Sequence, residues 1–240
     1  RQSSDHPNVM TTLALFFSLL ALGGVASAAV TLPRGIEESL TLDNGLSRGE
    51  WGPIDLCSEG SHVFAFEIKY SGLGYLDDTS VNAIRLYCQT PEGALSNILI
   101  SAEGSFGQWQ GMRSCPLGEV MTGVRANVVP DQGTLGDDLG MDNLQMRCSG
   151  GQVLDGLYGV PNRKGKNPVV AREMTKIQGR EVEAVYMKVQ RTAHTRDFGD
   201  WGTWQACSSG KVCGLQVRLE DNHPLNDDAG ITDTVIFCCN

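Results

Sequence analysis

The stretch Asn82-Ala83-Ile84-Arg85-Leu86-Tyr87-Cys88, preceded by Asp77-Asp78-Thr79, decides the fold, because the chain returns to it twice. Asp137-Asp138 lead into Asp142-Asn143-Leu144-Gln145-Met146-Arg147-Cys148. Asp227-Asp228 lead into Thr232-Asp233-Thr234-Val235-Ile236-Phe237-Cys238. In each copy eleven positions separate the first Asp from the Cys. Upstream, each copy carries a Trp/Gly element and then another cysteine. These are Gly49-Glu50-Trp51-Gly52 before Cys57, Phe106-Gly107-Gln108-Trp109 before Cys115, and Trp201-Gly202-Thr203-Trp204 before Cys207. From that cysteine to the Asp pair the distance is 20, 22 and 20 residues. Self-similarity of this kind marks a repeated unit that buries its apolar face only against its neighbours.

Each copy predicts β-structure. Ile84-Arg85-Leu86-Tyr87 and Leu215-Gln216-Val217-Arg218-Leu219 alternate apolar and polar residues, as half-buried strands do. Val63 to Tyr70 shades from an apolar run into the same alternation, and Gly, Asn and Asp cluster between the runs as turns require. No helical period of useful length appears in the copies. A small sheet with one apolar face is not stable alone. Three of them packed inward around a pseudo-threefold axis bury all three faces, so the expected fold is all-β with one shared core. The copies span about 49–90, 104–149 and 199–239.

The Trp-Gly element, the Cys, the Asp pair and the closing Cys, repeated three times, resemble the vitelline membrane outer layer protein 1 family. Val212-Cys213-Gly214-Leu215-Gln216 and Phe237-Cys238-Cys239 add to the likeness. The resemblance covers most of 29–240. It implies a single β-prism of three Greek-key sheets, an architecture also known in some plant lectins and in one domain of an insecticidal toxin. It implies a secreted protein of egg coats and other extracellular secretions. The activities it implies are structural, with carbohydrate binding and weak transfer of N-acetylglucosamine units beside them. Two segments depart from the pattern. Residues 36–48 read as an inserted arm after a first strand, Val30-Thr31-Leu32-Pro33. Residues 150–196 form a long link with nine Lys/Arg against Asp155, Glu173, Glu181 and Glu183. That link reads as a solvated loop or as a contact surface for an acidic partner, and residues 181–190 read as a strand completing the third sheet.

The chain has 240 residues with a net charge of −9. An acidic body repels phosphate backbones and anionic lipid, so neither nucleic acid nor a membrane is an expected partner. Leu13 to Leu22 is almost wholly apolar and is followed by Ala26-Ser27-Ala28. The run is too short to span a bilayer and suits the core of an export signal, with Met10 as its start, 1–28 removed and 29–240 secreted.

All eight cysteines lie after residue 28, an even number in an exported chain, which predicts a disulfide framework. There is no C-x-x-C and no Cys/His ligand box, which speaks against zinc; the expectation is no metal site and no cofactor. Each copy offers one early and one late cysteine, giving Cys57–Cys88, Cys115–Cys148 and Cys207–Cys238. Cys213 then takes Cys239, since adjacent strand residues face opposite sides. Exchange within the Cys207, Cys213, Cys238 and Cys239 quartet stays open.

Candidate chemistry rests on two residue types. Asp78, Asp138 and Asp228, with the Asp before each, read first as turn-holders that accept backbone N–H bonds. Glycan contact, calcium binding and carboxylate catalysis are the alternatives. Trp51, Trp109, Trp201 and Trp204 read either as plugs at the ends of the core or as indole platforms for sugar rings. Gly45-Leu46-Ser47-Arg48-Gly49 matches the G-x-S-x-G pattern, but that pattern needs a strand-to-helix turn and an Asp/His pair. Ser47 is therefore not a nucleophile candidate, and His62, His194 and His223 read as surface or satisfied polar positions. No residue is assigned a catalytic role. The expected function is a disulfide-stapled structural or interaction protein of an extracellular coat or mucosal layer, bound to matrix or mucin-type glycoproteins. The alternative is a glycan-binding module with weak transferase activity on N-acetylglucosamine oligomers.

Overall fold

The computed structural model describes residues 35–71, 79–130, 139–158, 173–177, 180–184, 199–220 and 229–240, and every regular element among them is a strand. The first part of the chain supplies Glu38–Thr41 (β1), Glu50–Trp51 (β2), Asp55–Leu56 (β3), His62–Ser71 (β4), Ser80–Gln89 (β5) and Leu95–Leu99 (β6). Gln108–Trp109 (β7), Arg113–Ser114 (β8), Met121–Val128 (β9), Met141–Cys148 (β10) and Val153–Asp155 (β11) follow. Glu173–Ile177 (β12) and Arg180–Ala184 (β13) pair as a separate hairpin. The last copy supplies Asp200–Trp201 (β14), Gln205–Ala206 (β15), Lys211–Glu220 (β16) and Gly230–Cys239 (β17).

The long strands form because their alternation matches a sheet with one buried face. In β5, Ile84 and Leu86 are fully buried while Arg85 and Tyr87 are half-exposed. In β16, Leu215 and Val217 are fully buried and Gln216 and Arg218 are not. Three antiparallel hairpins, β4/β5, β9/β10 and β16/β17, each centre one sheet. Their inner faces meet in a single apolar cluster that includes Phe66, Ile84, Leu86, Met121, Leu144, Met146, Leu215 and Ile236. The result is an all-β prism of three Greek-key sheets about a pseudo-threefold axis.

The repeat of the sequence is not the repeat of the sheets. Each Trp element leaves its own copy and pairs with the hairpin of the copy before it. β7 and β8 add to β4, β14 and β15 add to β9, and β2 and β3 add to β16. The chain therefore closes the prism on itself, with its first Trp element on its last hairpin. A shared bulge fixes each junction. Pairing skips Phe64, Thr122 and Cys213, and the freed carbonyl of each accepts the N–H of Cys115, Cys207 and Cys57 at 2.8, 2.9 and 2.7 Å.

This placement decides what the cysteines join. Cys57 follows β3 on the third sheet and bonds Cys88 in β5 of the first; Cys115 follows β8 on the first and bonds Cys148 in β10 of the second; Cys207 follows β15 on the second and bonds Cys238 in β17 of the third. Each pair of sheets is thus stapled once. Cys213–Cys239 lies within the β16/β17 hairpin.

Two sequence expectations are corrected. Residues 36–48 are not an inserted arm: β1 pairs with β17, from Glu38 opposite Cys238 to Thr41 opposite Val235, and Leu40 is buried. Consequently the third sheet is completed by β1; of the strand expected over 181–190, the described part lies in β13 and pairs with β12, and 185–190 lie outside the described residues. A strand of four residues with one buried apolar side chain gives too little alternation to be read in advance. Val30 to Pro33 lie outside the described residues.

Candidate functional site

Of the candidate residues, Asp78, Asp138 and Asp228 lie outside the described residues, as do His194 and His223. The four tryptophans are described, and none belongs to the apolar core, which corrects their reading as core plugs. The reason is the strand exchange just described. Trp51, Trp109 and Trp201 sit in edge strands opposite Arg218, Lys69 and Asn127. Each of these indoles meets an arginine from one of the two long strands beside it.

The Arg85 guanidinium stacks 3.8 Å from the Trp109 ring centre and is held by Glu67 at 2.7 Å. Arg218 stands 5.8 Å from Trp51, its Nε donating to the Gly49 carbonyl at 2.8 Å. In the second sheet the pattern lengthens into a ladder. Arg125 lies 4.8 Å from Trp201 and 4.9 Å from Trp204, and Arg147 lies 4.2 Å from Trp204. Such cation–π contacts contribute about 0.5–1 kcal/mol each at exposed sites. Each also covers one face of its ring, which leaves less of the indole open to a sugar.

Trp51 is the exception. It has the longest Arg distance and is 40% exposed. It lines a hollow of about 570 Å³ with Gly49, Glu50, Gly52, Ala102, Leu219 and Glu220. Glu220 is engaged by Arg48 at 3.7 Å, and Glu50 is exposed. An indole beside carboxylates is the stacking and acceptor set a sugar ring can use: CH groups lie against the ring, and hydroxyls donate to the acids. A second hollow, about 490 Å³, lies at the strand ends and is lined by His62, Gln89, Thr90, Glu92, Leu117 and Lys211 among others. Burial, then the charge of Lys211, lower the pKa of His62, whose Nε2 has no hydrogen-bond partner.

The ladder loop is clamped by residues that the sequence reading had placed in an arm. Asp43 accepts Thr203 N–H at 3.0 Å and the Thr203 hydroxyl at 2.6 Å, and that hydroxyl holds its carboxyl below the usual range. Asn44 donates to the carbonyls of Ala126 and Asp200. Ser47 is an exposed residue of the irregular segment between β1 and β2.

Arg113 was not singled out in the sequence, and Asp155, expected in the link 150–196, instead ends β11, pairs with β10 and is buried. Arg113 is 4% exposed, and its guanidinium donates to the carbonyls of Gln110, Gly111, Asp155, Gly156 and Tyr158. Burial lowers its pKa, against the pull of Asp155 and Glu67. Asp155 accepts from Asn143, Gln145 and Leu157 N–H. Saturated in this way, the pair fastens the first sheet to the second. The available signal was a charged residue two positions before a repeat cysteine. Among the described residues no group of three or more His, Cys, Asp or Glu could hold a metal ion.

A family model described as vitelline membrane outer layer protein I matches residues 38–158 and 160–240. The chain is 28% identical over 229 residues to a Mus musculus protein named vitelline membrane outer layer protein 1 homolog, covering 92% of this chain and 94% of that one. It is 27% identical over 225 residues to the Homo sapiens homolog of the same name, covering 92% of each. Among solved structures, a mannose-binding jacalin-related lectin from Ananas comosus aligns with a TM-score of 0.43 and 10% identity, covering 84% of this chain and 96% of that one. An agglutinin from Calystegia sepium aligns with a TM-score of 0.42 and 11% identity, covering 86% and 97%.

Proposed function

We propose, from the premise that the chain belongs to the vitelline membrane outer layer protein I family, that it is a secreted structural and interaction protein of an extracellular coat or mucosal layer. The observation that carries this reading is the closed ring of staples, one disulfide between each pair of sheets. Disulfides persist in oxidising surroundings outside the cell, and cross-braced sheets expose fewer openings to proteases. Residues 1–28 act as the export signal. The partners are matrix or mucin-type glycoproteins. Saturable binding to immobilised mucin or to egg-envelope glycoprotein is expected in surface plasmon resonance. A flat response on both, from a folded and secreted chain, overturns the reading.

The exposed Trp51 and its hollow support a second reading, a glycan-binding module. Titration with N-acetylglucosamine oligomers is expected to give saturable heat. A stacked aromatic contributes about 0.5–1.5 kcal/mol beyond its buried area. Trp51→Ala is therefore expected to weaken binding by up to about tenfold, while Trp109→Ala, whose ring face Arg85 already covers, leaves affinity unchanged. Equal losses in both variants, or no heat at millimolar ligand, remove this reading.

A further inference from the structure

The ladder on the second sheet exceeds what the architecture asks for. One Trp per copy caps the outer face of each sheet: Trp51, Trp109 and Trp201. Trp204 has no counterpart. It stands three residues before Cys207, where Ile54 and Met112 stand before Cys57 and Cys115. The prism closes equally well with an aliphatic residue there, so the second Trp asks for another reason. It creates the run Trp201-Gly202-Thr203-Trp204-Gln205-Ala206-Cys207, in which Trp, Trp and Cys recur every third residue.

We propose that Trp201 carries a C-linked mannose, attached at indole C2 during export. A Trp followed three residues later by a second Trp is the acceptor spacing for this modification, as Asn-x-Ser/Thr is for N-glycans, a sequon the chain lacks. A motif counts only in a fitting structural context, and two observations here supply it. Trp201 is half-exposed on an edge strand of two residues. Arg125 approaches the ring, as in any cation–π stack, from its face. The C2–H lies in the ring plane, so a substituent there leaves the stack in place. In the reaction the C1–O bond of a polyprenyl-phosphate mannose breaks, its electron pair leaving with the phosphate. The electron-rich C2 of the indole supplies the pair for the new C1–C2 bond, and the C2 proton passes to a base. The proposal rests on the reading that the chain is exported. It turns Trp201 from a candidate sugar-binding residue into a sugar-bearing one.

The test is peptide mapping of the chain secreted from animal cells. One hexose increment is expected on Trp201, with the cross-ring loss typical of a carbon-linked sugar and resistance to glycosidase and to β-elimination. It should vanish in cells lacking the C-mannosyltransferase and in Trp204→Ala, and the wild-type chain in the transferase-deficient cells keeps the test independent of that variant's folding. A secreted chain with an unmodified Trp201 overturns the proposal and leaves export intact. An increment that survives loss of the transferase also overturns it. A chain retained in the cytosol with residues 1–28 uncleaved overturns the export reading and this one together.

Discussion

Reduction of the disulfides is expected to unfold the domain at room temperature. Cys57–Cys88, Cys115–Cys148 and Cys207–Cys238 close loops with sequence separations of 31, 33 and 31 residues. In the chain-entropy model each contributes about 3.7 kcal/mol. The three together reach about 11 kcal/mol, comparable to the whole net stability of about 5–15 kcal/mol typical of a domain. The native state gives the same answer. Each staple ties an edge segment of one sheet to an inner strand of the next, and those edge segments are only two residues long. Without the covalent tie, a handful of ladder hydrogen bonds must hold each seam. Removing one staple as Cys115→Ala/Cys148→Ala should lower the melting temperature by roughly 8–15 °C in a chain of this size. Circular dichroism melts with and without reductant measure both effects. A reduced chain that still melts cooperatively within a few degrees of the oxidised one contradicts the account.

The three hairpins were legible because two properties of a strand coincide in the sequence: alternation, as in Ile84-Arg85-Leu86-Tyr87, and turn residues at the ends. The strand exchange was not legible. β2, β7 and β14 are two residues long, and two residues carry no period. Their partners lie far away in sequence, with Trp51 opposite Arg218. Nothing local says that a Trp element belongs to the hairpin before it, so the staples could be paired on paper without revealing that they join different sheets. The same exchange explains the misplaced tryptophans. A Trp repeated once per copy reads as core when its own hairpin is taken as its neighbour. Landing on the preceding hairpin, it meets the outward-facing Arg85, Arg125 or Arg218 instead. An arginine at an outward position of a core strand in every copy was the available signal. The hollow beside Trp51 needs Ala102, from the connection that follows β6 of the first sheet, and Leu219 from the third copy, a convergence that only the closed prism creates.

A second large effect is expected where the three hairpins crowd together near the start of β5, β10 and β17. Ser80, Gly140 and Gly230 each stand eight residues before a closing cysteine, and all three have left-handed φ angles of 52°, 60° and 65°. A Cβ on Gly140 would run into the Ala229 and Ile231 carbonyls, and one on Gly230 into those of Thr79 and Val81. The collisions pass from the second sheet to the third and from the third to the first, so neighbouring backbones lean on one another in order around the axis. A side chain in the left-handed region already costs about 1–2 kcal/mol. Here it would also displace backbone carbonyls, which cannot rotate away as a side chain can. Gly140→Ala and Gly230→Ala should therefore each lose at least about 3 kcal/mol. The third position already bears a side chain, and its Cβ is accommodated: Ser80 is 3% exposed and its hydroxyl donates to Asp142 at 3.4 Å. Ser80→Gly relieves the backbone and gives up one long hydrogen bond, two changes of opposite sign and each about 1 kcal/mol, so its net effect should be small. Urea unfolding of the three variants distinguishes strain at the axis from simple loss of packing. Packing alone predicts that removing the buried Ser80 side chain is the damaging change and that the added methyl groups are tolerated. Strain predicts the reverse order, because the axis has room for one side chain and its two related positions have none.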